Sequence, residues 1–325
     1  MKLPRREFLH LAASAAAFPS LSHVAWAQSY PVRPVRMIVG FAPGGATDIV
    51  ARLIGQWLSD RLGKPFVVEN RIGAGGNIAT EAVARSAADG YTLLVAGQQD
   101  AVNASLYAKL NFDFIRDFAP VATLIRQPLV LVVNPSVPVY ALPEFIAYAK
   151  TNPGKINVAS AGNGTPPHLA AELFKMMAAV DIVHIPYRGG APAITDLLGG
   201  RVQALFISEL LSIEHVNTGR LRPLAVTAAT RLESLPAIPT VGESLAGYET
   251  SFWAGVVVPR NTPVEIIDKL NKEINVALSD PKIKTRFAEI GGSVLGGSPT
   301  DFQKLLADET EKWRNVIKFA GLKPD

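Results

Sequence analysis

The chain has 325 residues, of which 48% are hydrophobic and 18% charged, with 26 Gly, 24 Pro and no Cys. These values exclude a collagen-like, coiled-coil or disordered chain, and the length suits one or two compact domains. The lack of cysteine excludes disulfides, thiolate nucleophiles, iron–sulfur clusters and cysteine-bound zinc. Any chemistry must therefore rest on other side chains and on the backbone.

The first 27 residues have the pattern of a cleaved export signal. Three basic residues within the first six positions precede a weakly apolar run over 11–21, and Ala25-Trp26-Ala27 is the small-x-small pattern that signal peptidase reads. An uncleaved membrane anchor is disfavoured because the apolar run is shorter than the roughly 20 residues that span a bilayer. We predict cleavage between Ala27 and Gln28 and a mature protein in the periplasm.

The export route is indicated by Arg5 and Arg6, which are followed by Glu7-Phe8-Leu9 and resemble a twin-arginine signal. Pro4 stands where Ser or Thr is usual, so the general export route stays open. Cleavage removes three basic residues and one acidic residue, and the formal charge falls from +4 to +2. The mature chain carries no basic run of the kind that binds nucleic acid.

From residue 35 onward, short apolar runs rich in β-branched residues alternate with longer amphipathic runs, which is typical of an α/β protein. The pattern predicts strands over 35–41, 66–69, 91–96, 119–125, 129–133, 156–159, 182–185, 202–206, 221–227 and 252–258. It predicts helices over 48–62, 78–87, 142–151, 166–179, 191–198, 264–278, 281–290 and 300–319.

Two similar series of strands and helices indicate two lobes, because the second series begins near residue 156. The long C-terminal helices are expected to return to the first lobe and to make it discontinuous. We place the first lobe over 28–127 plus 253–325 and the second lobe over 128–252.

The first candidate site is the loop Phe41-Ala42-Pro43-Gly44-Gly45-Ala46-Thr47-Asp48, which joins the first strand to the first helix. Paired glycines allow positive φ and turn N–H groups inward, and the start of the helix adds unpaired donors and a positive dipole end. This combination binds an anion, although the same residues also suit a tight turn that Thr47 or Asp48 caps. Because a carboxylate would repel a bound anion, we assign Asp48 to holding the loop in place.

The second candidate site, Ser160-Ala161-Gly162-Asn163-Gly164-Thr165, repeats this arrangement in the second half of the chain. Thr165 is a suitable N-cap and Pro166 suits the first helical position, where no N–H is needed. Ser160 and Thr165 add hydroxyl groups. His168 falls on the first turn of the helix, where a hydrogen bond to a neighbouring loop is favoured over a catalytic role.

Other motifs argue against a cofactor or a metal. Arg71-Ile72-Gly73-Ala74-Gly75-Gly76-Asn77-Ile78 imitates a dinucleotide fingerprint, but Ile78 stands where a small residue is needed and no acid follows the next strand. The histidines that remain after cleavage lack the spacing of a zinc hydrolase, and no nucleophile elbow is present. A catalytic triad assembled from distant residues stays open, and Arg188 has either a ligand carboxylate or water as its partner.

Taken together, these segments resemble the substrate-binding components of tripartite tricarboxylate transporters, the Bug receptors, from about Tyr30 to the C-terminus. The matching stretches, in this order and spacing, are Phe41 to Asp48, Glu69-Asn70-Arg71 with Gly73 to Asn77, Asp89-Gly90-Tyr91-Thr92-Leu93, Ser160 to Gly164, His168-Leu169-Ala170-Ala171-Glu172-Leu173-Phe174, and Pro186-Tyr187-Arg188-Gly189.

The resemblance implies a two-lobed periplasmic binding protein of the type II-like class, in which each lobe is a mixed β-sheet flanked by helices. It implies a non-enzymatic, monomeric receptor that closes on a small carboxylate and delivers it to the permease subunits of a transporter, without cofactor or metal. The implied ligand-binding residues are Phe41, Ala42, Gly44, Gly45, Thr47, Asp48, Asn77, Ser160, Ala161, Gly162, Asn163, Gly164, Thr165, His168, Tyr187, Arg188, Gly189 and Ser208.

One segment departs from the family pattern. After the Gly-Gly pair, members commonly read Val-Asp and then Phe-Asp-Asn, whereas this chain reads Arg201-Val202-Gln203-Ala204-Leu205-Phe206-Ile207-Ser208. Ile207 is expected to make the pocket more apolar and Ser208 keeps only a hydroxyl, which shifts the expected ligand toward a hydrophobic or aromatic carboxylate. Two other functions stay open: a solute sensor for a signalling partner, and a secreted hydrolase that uses Ser160 and His168.

We expect Gly44→Val and Gly162→Val to abolish ligand binding while the protein still folds. A β-branched residue resists positive φ and blocks the approach of a ligand to the N–H groups. Calorimetric titration of both variants with carboxylates checks this, and unchanged affinity in both would count against these loops as the site.

Overall fold

The computed structural model describes residues 30–324, so the predicted export signal lies outside the described residues. Its strands are β1 Val35–Val39, β2 Phe66–Asn70, β3 Thr92–Gly97, β4 Phe118–Val133, β5 Asn157–Ser160, β6 Val183–Pro186, β7 Ala204–Ser208, β8 Arg222–Val226, β9 Ser251–Pro259 and β10 Ser293–Val294. Its α-helices are α1 Ala46–Leu62, α2 Asn77–Ala84, α3 Gln98–Leu106, α4 Leu142–Thr151, α5 Pro166–Ala178, α6 Gly190–Leu198, α7 Glu209–Asn217, α8 Val264–Ser279, α9 Pro281–Glu289 and α10 Pro299–Ala320.

The strands form two mixed sheets that share β4. The first sheet has the order β2-β1-β3-β9-β4, in which β1, β2 and β3 are parallel and β9 is antiparallel to both of its neighbours; β10 also pairs with β4. In the second sheet β5, β6 and β7 are parallel, while β4 runs antiparallel to β7 and β8. The α/β fold with flanking helices is therefore as predicted, and within each sheet the parallel strands end at one edge.

Strand β4 connects the two sheets without a break. Its residues as far as Pro128 pair with β9 in the first sheet, and its residues from Leu129 onward pair with β7 and β8 in the second. The sequence predicted two separate strands because Arg126-Gln127-Pro128 interrupts the apolar pattern. A proline is tolerated at this point because the strand exchanges partners there, and a missing ladder donor matters least where pairing changes.

Two helices were missed by the sequence prediction. Helix α3 begins directly after β3, and its residues are too polar to show an apolar periodicity. Its start is fixed by Asp100, whose Oδ2 accepts the Gly97 N–H at 2.8 Å. Helix α7 follows β7 in the same way, with Ser208 as its N-cap residue. The two-residue strand β10 was also not predicted; apart from β4, the other helices and strands agree with the prediction to within three residues at each end.

The C-terminal helix α10 packs against the first sheet and α3, and also against α5. A buried carboxylate anchors it: Glu309 Oε2 accepts the indole N–H of Trp253 at 3.1 Å and that of Trp313 at 2.9 Å. Phe302 lies across Trp253 in an edge-to-face contact with ring centroids 5.8 Å apart. These contacts hold α10 on β9.

Close packing at Gly255 generates a stability prediction. A Cβ on this residue of β9 would lie 2.4 Å from Phe302 Cζ and 2.8 Å from the Ala122 carbonyl oxygen. We expect Gly255→Ala to lower the free energy of unfolding by about 1–3 kcal/mol through overpacking. Gly199→Ala is the control, because its Cβ meets nothing closer than 3.5 Å; it should change stability by less than about 0.5 kcal/mol. Equal effects in denaturant titrations would contradict this account.

Candidate functional site

The loop between β1 and α1 folds back on the first turn of its own helix. Gly44 has φ +83°, a conformation that favours glycine, and its N–H donates to Asp48 Oδ2 at 2.9 Å. Gly45 is the N-cap residue, and its own N–H points to the Ala42 carbonyl at 3.5 Å. The glycine N–H groups therefore serve the loop itself in this structure. The donors left for a ligand are the first-turn N–H groups of α1, which begins at Ala46.

The Asp48 side chain holds this loop in place through hydrogen bonds. Its side chain is buried and accepts two hydrogen bonds from Arg52 at 2.9 Å and one from Asn70 Nδ2 at 2.9 Å. Asn70 Nδ2 also donates to the Phe41 carbonyl at 2.9 Å. Burial by itself raises the pKa of the Asp48 carboxyl, but the hydrogen bonds from Arg52, Gly44 and Asn70 outweigh it and hold that pKa below its usual range. Asp48 is therefore ionised and fully engaged at neutral pH, as its assignment to loop support requires.

The loop after β5 is also held by its own side chains. Ser160 is buried, and its Oγ accepts the Gly162 N–H at 3.1 Å and lies 2.6 Å from His184 Nε2. Gly162 has φ +129°, and its carbonyl accepts the Thr165 hydroxyl at 2.7 Å. The Gly164 N–H donates to His168 Nδ1 at 3.0 Å. The predicted contact between His168 and a neighbouring loop is thus present.

Helix α5 offers a ligand fewer backbone N–H donors than we expected from the likeness of its preceding loop to the first loop. Both Pro166 and Pro167 stand in its first turn, and neither has an N–H. Of the first three helical positions only His168 carries one. The helix dipole still favours an anion at this end, but hydrogen bonds from this half of the site must come mainly from the loop 160–165.

Two stacked imidazoles lie under this second loop. The rings of His168 and His184 are 3.7 Å apart between centroids and 11° from parallel. Burial, with a smaller contribution from Lys175, lowers the pKa of His184 to about 4. His168 Nδ1 accepts a hydrogen bond, so its proton resides on Nε2, 3.8 Å from Glu172 Oε1. Burial raises the pKa of Glu172. His184 is therefore uncharged at neutral pH, and the two stacked rings support the loop.

The remaining predicted residues occupy varied surroundings. Asn77 is buried, its Oδ1 accepts from Asn103 at 3.0 Å, and its Nδ2 has no hydrogen-bond partner among the described residues. The Tyr187 hydroxyl donates to Asp196 at 2.7 Å, while Arg188 is exposed. Ser208 ends β7 and is the N-cap residue of α7, and the Gly189 N–H donates to the Ala161 carbonyl at 3.1 Å.

A cleft of about 530 Å³ lies between the elements of the two sheets. Four of the predicted residues line it: Phe41 from the first loop, and Asn163, Gly164 and His168 from the second. A Cβ on Gly164 would lie 3.9 Å from Gln99 Nε2 across the cleft. The other fourteen predicted residues do not line this cleft.

The structure adds lining residues that the sequence did not indicate, and it corrects one expectation. Gln99 and Tyr107 belong to α3 and its end, and Leu322 and Lys323 follow α10. The sequence signal for the first pair was lost because α3 has no apolar periodicity. Ile207 is only 2% exposed and packs in the core of the second sheet, so it does not make the pocket wall more apolar as expected. The Ile207 side chain packs with the helix residues that cover the second sheet, so it belongs to the hydrophobic core.

Comparisons with known proteins agree with this architecture. The family model of the tripartite tricarboxylate transporter family receptor matches residues 50–322. Protein BugT of Bordetella pertussis is 40% identical over 91% of this chain and 92% of its own length. A structure from R. palustris with adipate is 38% identical, covers 91% of this chain and 100% of that chain, and has a TM-score of 0.74. MatC from Rhodopseudomonas palustris with bound malate is 33% identical over 89% of this chain and 100% of that chain, with a TM-score of 0.71.

The chain belongs to the tripartite tricarboxylate transporter receptor family. The family resemblance found in the sequence is therefore confirmed, as is the two-lobed α/β fold of periplasmic binding proteins. The family consists of receptors, which favours a binding protein over the hydrolase alternative. In the described chain, Ser160 is engaged with His184. None of the helices between residues 30 and 324 has the length and apolar character needed to span a bilayer.

Asp48 generates a pH-dependent prediction. Asp48→Asn should lower the free energy of unfolding at pH 7 by about 2 kcal/mol, because the buried acceptor loses its charge-assisted hydrogen bonds. Since the folded-state pKa lies below the unfolded value of about 3.9, this stabilisation is complete above that pH and is lost as pH falls through the folded pKa.

Denaturant titrations of the wild type and the variant between pH 7 and pH 3 measure the difference. Asp60→Asn is the control, because Asp60 is exposed on the same helix; it should change stability by less than about 0.5 kcal/mol. A difference for Asp48→Asn that stays constant or grows toward pH 3 would contradict the assigned role.

Proposed function

We propose that this chain is a periplasmic solute receptor that binds a small carboxylate in the cleft and delivers it to the membrane subunits of a tripartite transporter. The observation that carries the proposal is the lining of the cleft. Phe41 from the loop before α1 meets Asn163 and Gly164 from the loop before α5 there, and among the described lining residues Lys323 is charged while Asp and Glu do not occur. Helix N-termini, oriented N–H groups and a cation favour an anion.

The relatives support the same class of ligand. One solved relative holds adipate and another holds malate, and both match nearly the whole of this chain. In our proposal the carboxylate lies between the first turn of α1 and the loop 160–165, with ordered water completing its hydrogen bonds. The eighteen residues named from the sequence remain the proposed site; Asp48, Ser160 and His168 act within it as supports for the loops.

Closure of the two lobes on the ligand is proposed to be the state that the membrane partner recognises. The proposed lobes span 28–127 plus 253–325 and 128–252. The exchange of β4 partners after Pro128 and the start of β9 at Ser251 support these boundaries. At the edge of the second lobe, beside both crossings, Thr227 Oγ1 accepts the Leu129 N–H at 2.7 Å, and the Thr227 carbonyl accepts the Thr250 N–H at 3.0 Å. Through Thr227, these hydrogen bonds connect the two segments in which the chain passes from one proposed lobe to the other, at Leu129 and at Thr250.

The experiment combines calorimetry with small-angle X-ray scattering on the mature protein. We expect at least one acid from a panel of succinate, malate, citrate, glutamate, adipate and benzoate to bind, and the radius of gyration to decrease on binding. A panel in which no acid binds would overturn the proposal. Binding without compaction would overturn the closure step alone.

A further inference from the structure

A second cavity, of about 510 Å³, lies next to the cleft in the proposed first lobe. Its lining comes from the end of α3, from the loop that follows α3 as far as Arg116, and from Thr310 and Arg314 of α10. Tyr107 lines both this cavity and the cleft, so the two spaces are neighbours. The volume is within the range of small-molecule sites, and none of the eighteen residues named from the sequence lines it.

Much of this lining is apolar. Phe112 and Phe114 are only 8% and 1% exposed and belong to the hydrophobic core, against which Leu110 and Ile115 pack. Their positions are therefore fixed by the core before any ligand arrives. Ala104 is exposed and contributes only a methyl group to the lining, which leaves room for a ligand. An apolar or aromatic group would find packing partners here.

The charged groups of the loop are engaged within the loop itself. Asp113 Oδ1 accepts the N–H groups of Ile115 and Arg116 at 3.0 and 2.8 Å. The Arg116 guanidinium donates to the two carboxylate oxygens of Asp117 at 2.7 and 3.1 Å. Asp113 therefore supports the turn, and Arg116 is already paired.

The polar groups that α10 contributes are in a different state. Thr310 and Arg314 are four residues apart and so lie on one face of the helix. Arg314 is exposed, and its guanidinium has no hydrogen-bond or ion-pair partner within residues 30–324. Thr310 is 5% exposed, and its hydroxyl has no partner in the described part of the chain. A threonine hydroxyl in a helix can bond the carbonyl one turn earlier. An unbonded one beside an unpaired cation indicates an acceptor from outside the chain.

We propose that this cavity is a second ligand site, separate from the cleft, that binds an amphipathic organic anion with one acidic group and an aromatic body. The acidic group pairs with Arg314 and accepts the Thr310 hydroxyl, while the aromatic body packs on Phe112. A single acidic group fits because one unpaired cation lines the cavity, and Asp113 would repel a second. The proposal goes beyond the receptor function and does not depend on it.

The test is calorimetry on the mature protein with three probes: 3-phenylpropionate, its uncharged amide, and propionate. Each titration is run with and without a saturating amount of the tightest acid from the carboxylate panel, which separates this site from the cleft. We expect 3-phenylpropionate to bind while the cleft is filled, and to bind more tightly than the amide, which lacks the charge, or propionate, which lacks the ring.

Three variants locate the binding. Arg314→Gln should weaken 3-phenylpropionate binding about fivefold, the effect of losing one exposed ion pair, and should leave the amide unaffected. Ala104→Phe should weaken it more than tenfold, because a large side chain at this exposed position fills the cavity without entering the core. Thr310→Val should weaken it about twofold to fivefold. Its unfolding midpoint should be unchanged or higher, since it removes a buried hydroxyl without a partner.

Arg220→Gln is the matched control, because it makes the same substitution at an exposed arginine of the proposed second lobe that lines neither cavity. It should leave every affinity unchanged, and Arg314→Lys should retain most of the 3-phenylpropionate affinity. None of these variants should alter the affinity of the panel acid for the cleft.

Unchanged 3-phenylpropionate binding in both Arg314→Gln and Ala104→Phe would overturn the inference. Equal binding of the acid and its amide would also overturn it, as would loss of all 3-phenylpropionate binding once the cleft is filled. Each of these results would leave the proposed receptor function standing, because that function is tested by the acid panel alone.

Discussion

The structure depends on one continuous strand. Because β4 pairs with β9 in the first sheet and then with β7 and β8 in the second, it fixes the orientation of the two sheets. Loops at the carboxyl ends of parallel strands are the usual place for ligands in α/β proteins. Here the ends of β1 and β5 supply the two loops, and the shared strand brings Phe41 and Gly164 to one cleft.

The two loops reach a similar shape by different chemistry. In the first loop a buried, ionised carboxylate accepts the Gly44 N–H and is neutralised by Arg52. In the second loop a hydroxyl and an imidazole accept the corresponding hydrogen bonds. Ser160 Oγ accepts the Gly162 N–H, and His168 Nδ1 accepts the Gly164 N–H. In both cases side chains beneath the loop use backbone donors that would otherwise face the ligand. Fixing the loop in advance lowers the ordering cost of binding, at the expense of some hydrogen bonds to the ligand.

Much of this architecture is predictable from local sequence. The apolar runs predicted the strands around both loops, and the Gly-rich turns before helices predicted where the loops lie. Their partners were harder to foresee. The acceptance of the Gly44 N–H by Asp48 depends on the detailed course of the loop, whereas the missing donors at Pro166-Pro167 are visible in the sequence once the start of the helix is known. Helix α3 was missed because its surface is polar on most sides, and with it went Gln99 and Tyr107. The place of Lys323 depends on the docking of α10, a contact between distant parts of the chain.

The most direct test of the central claim is a crystal structure of the mature protein with the acid that binds it most tightly. We predict a carboxylate within hydrogen-bond distance of the first-turn N–H groups of α1 on one side and of the loop 160–165 on the other. An acid bound elsewhere on the surface, with the cleft between these loops filled only by water, would contradict it.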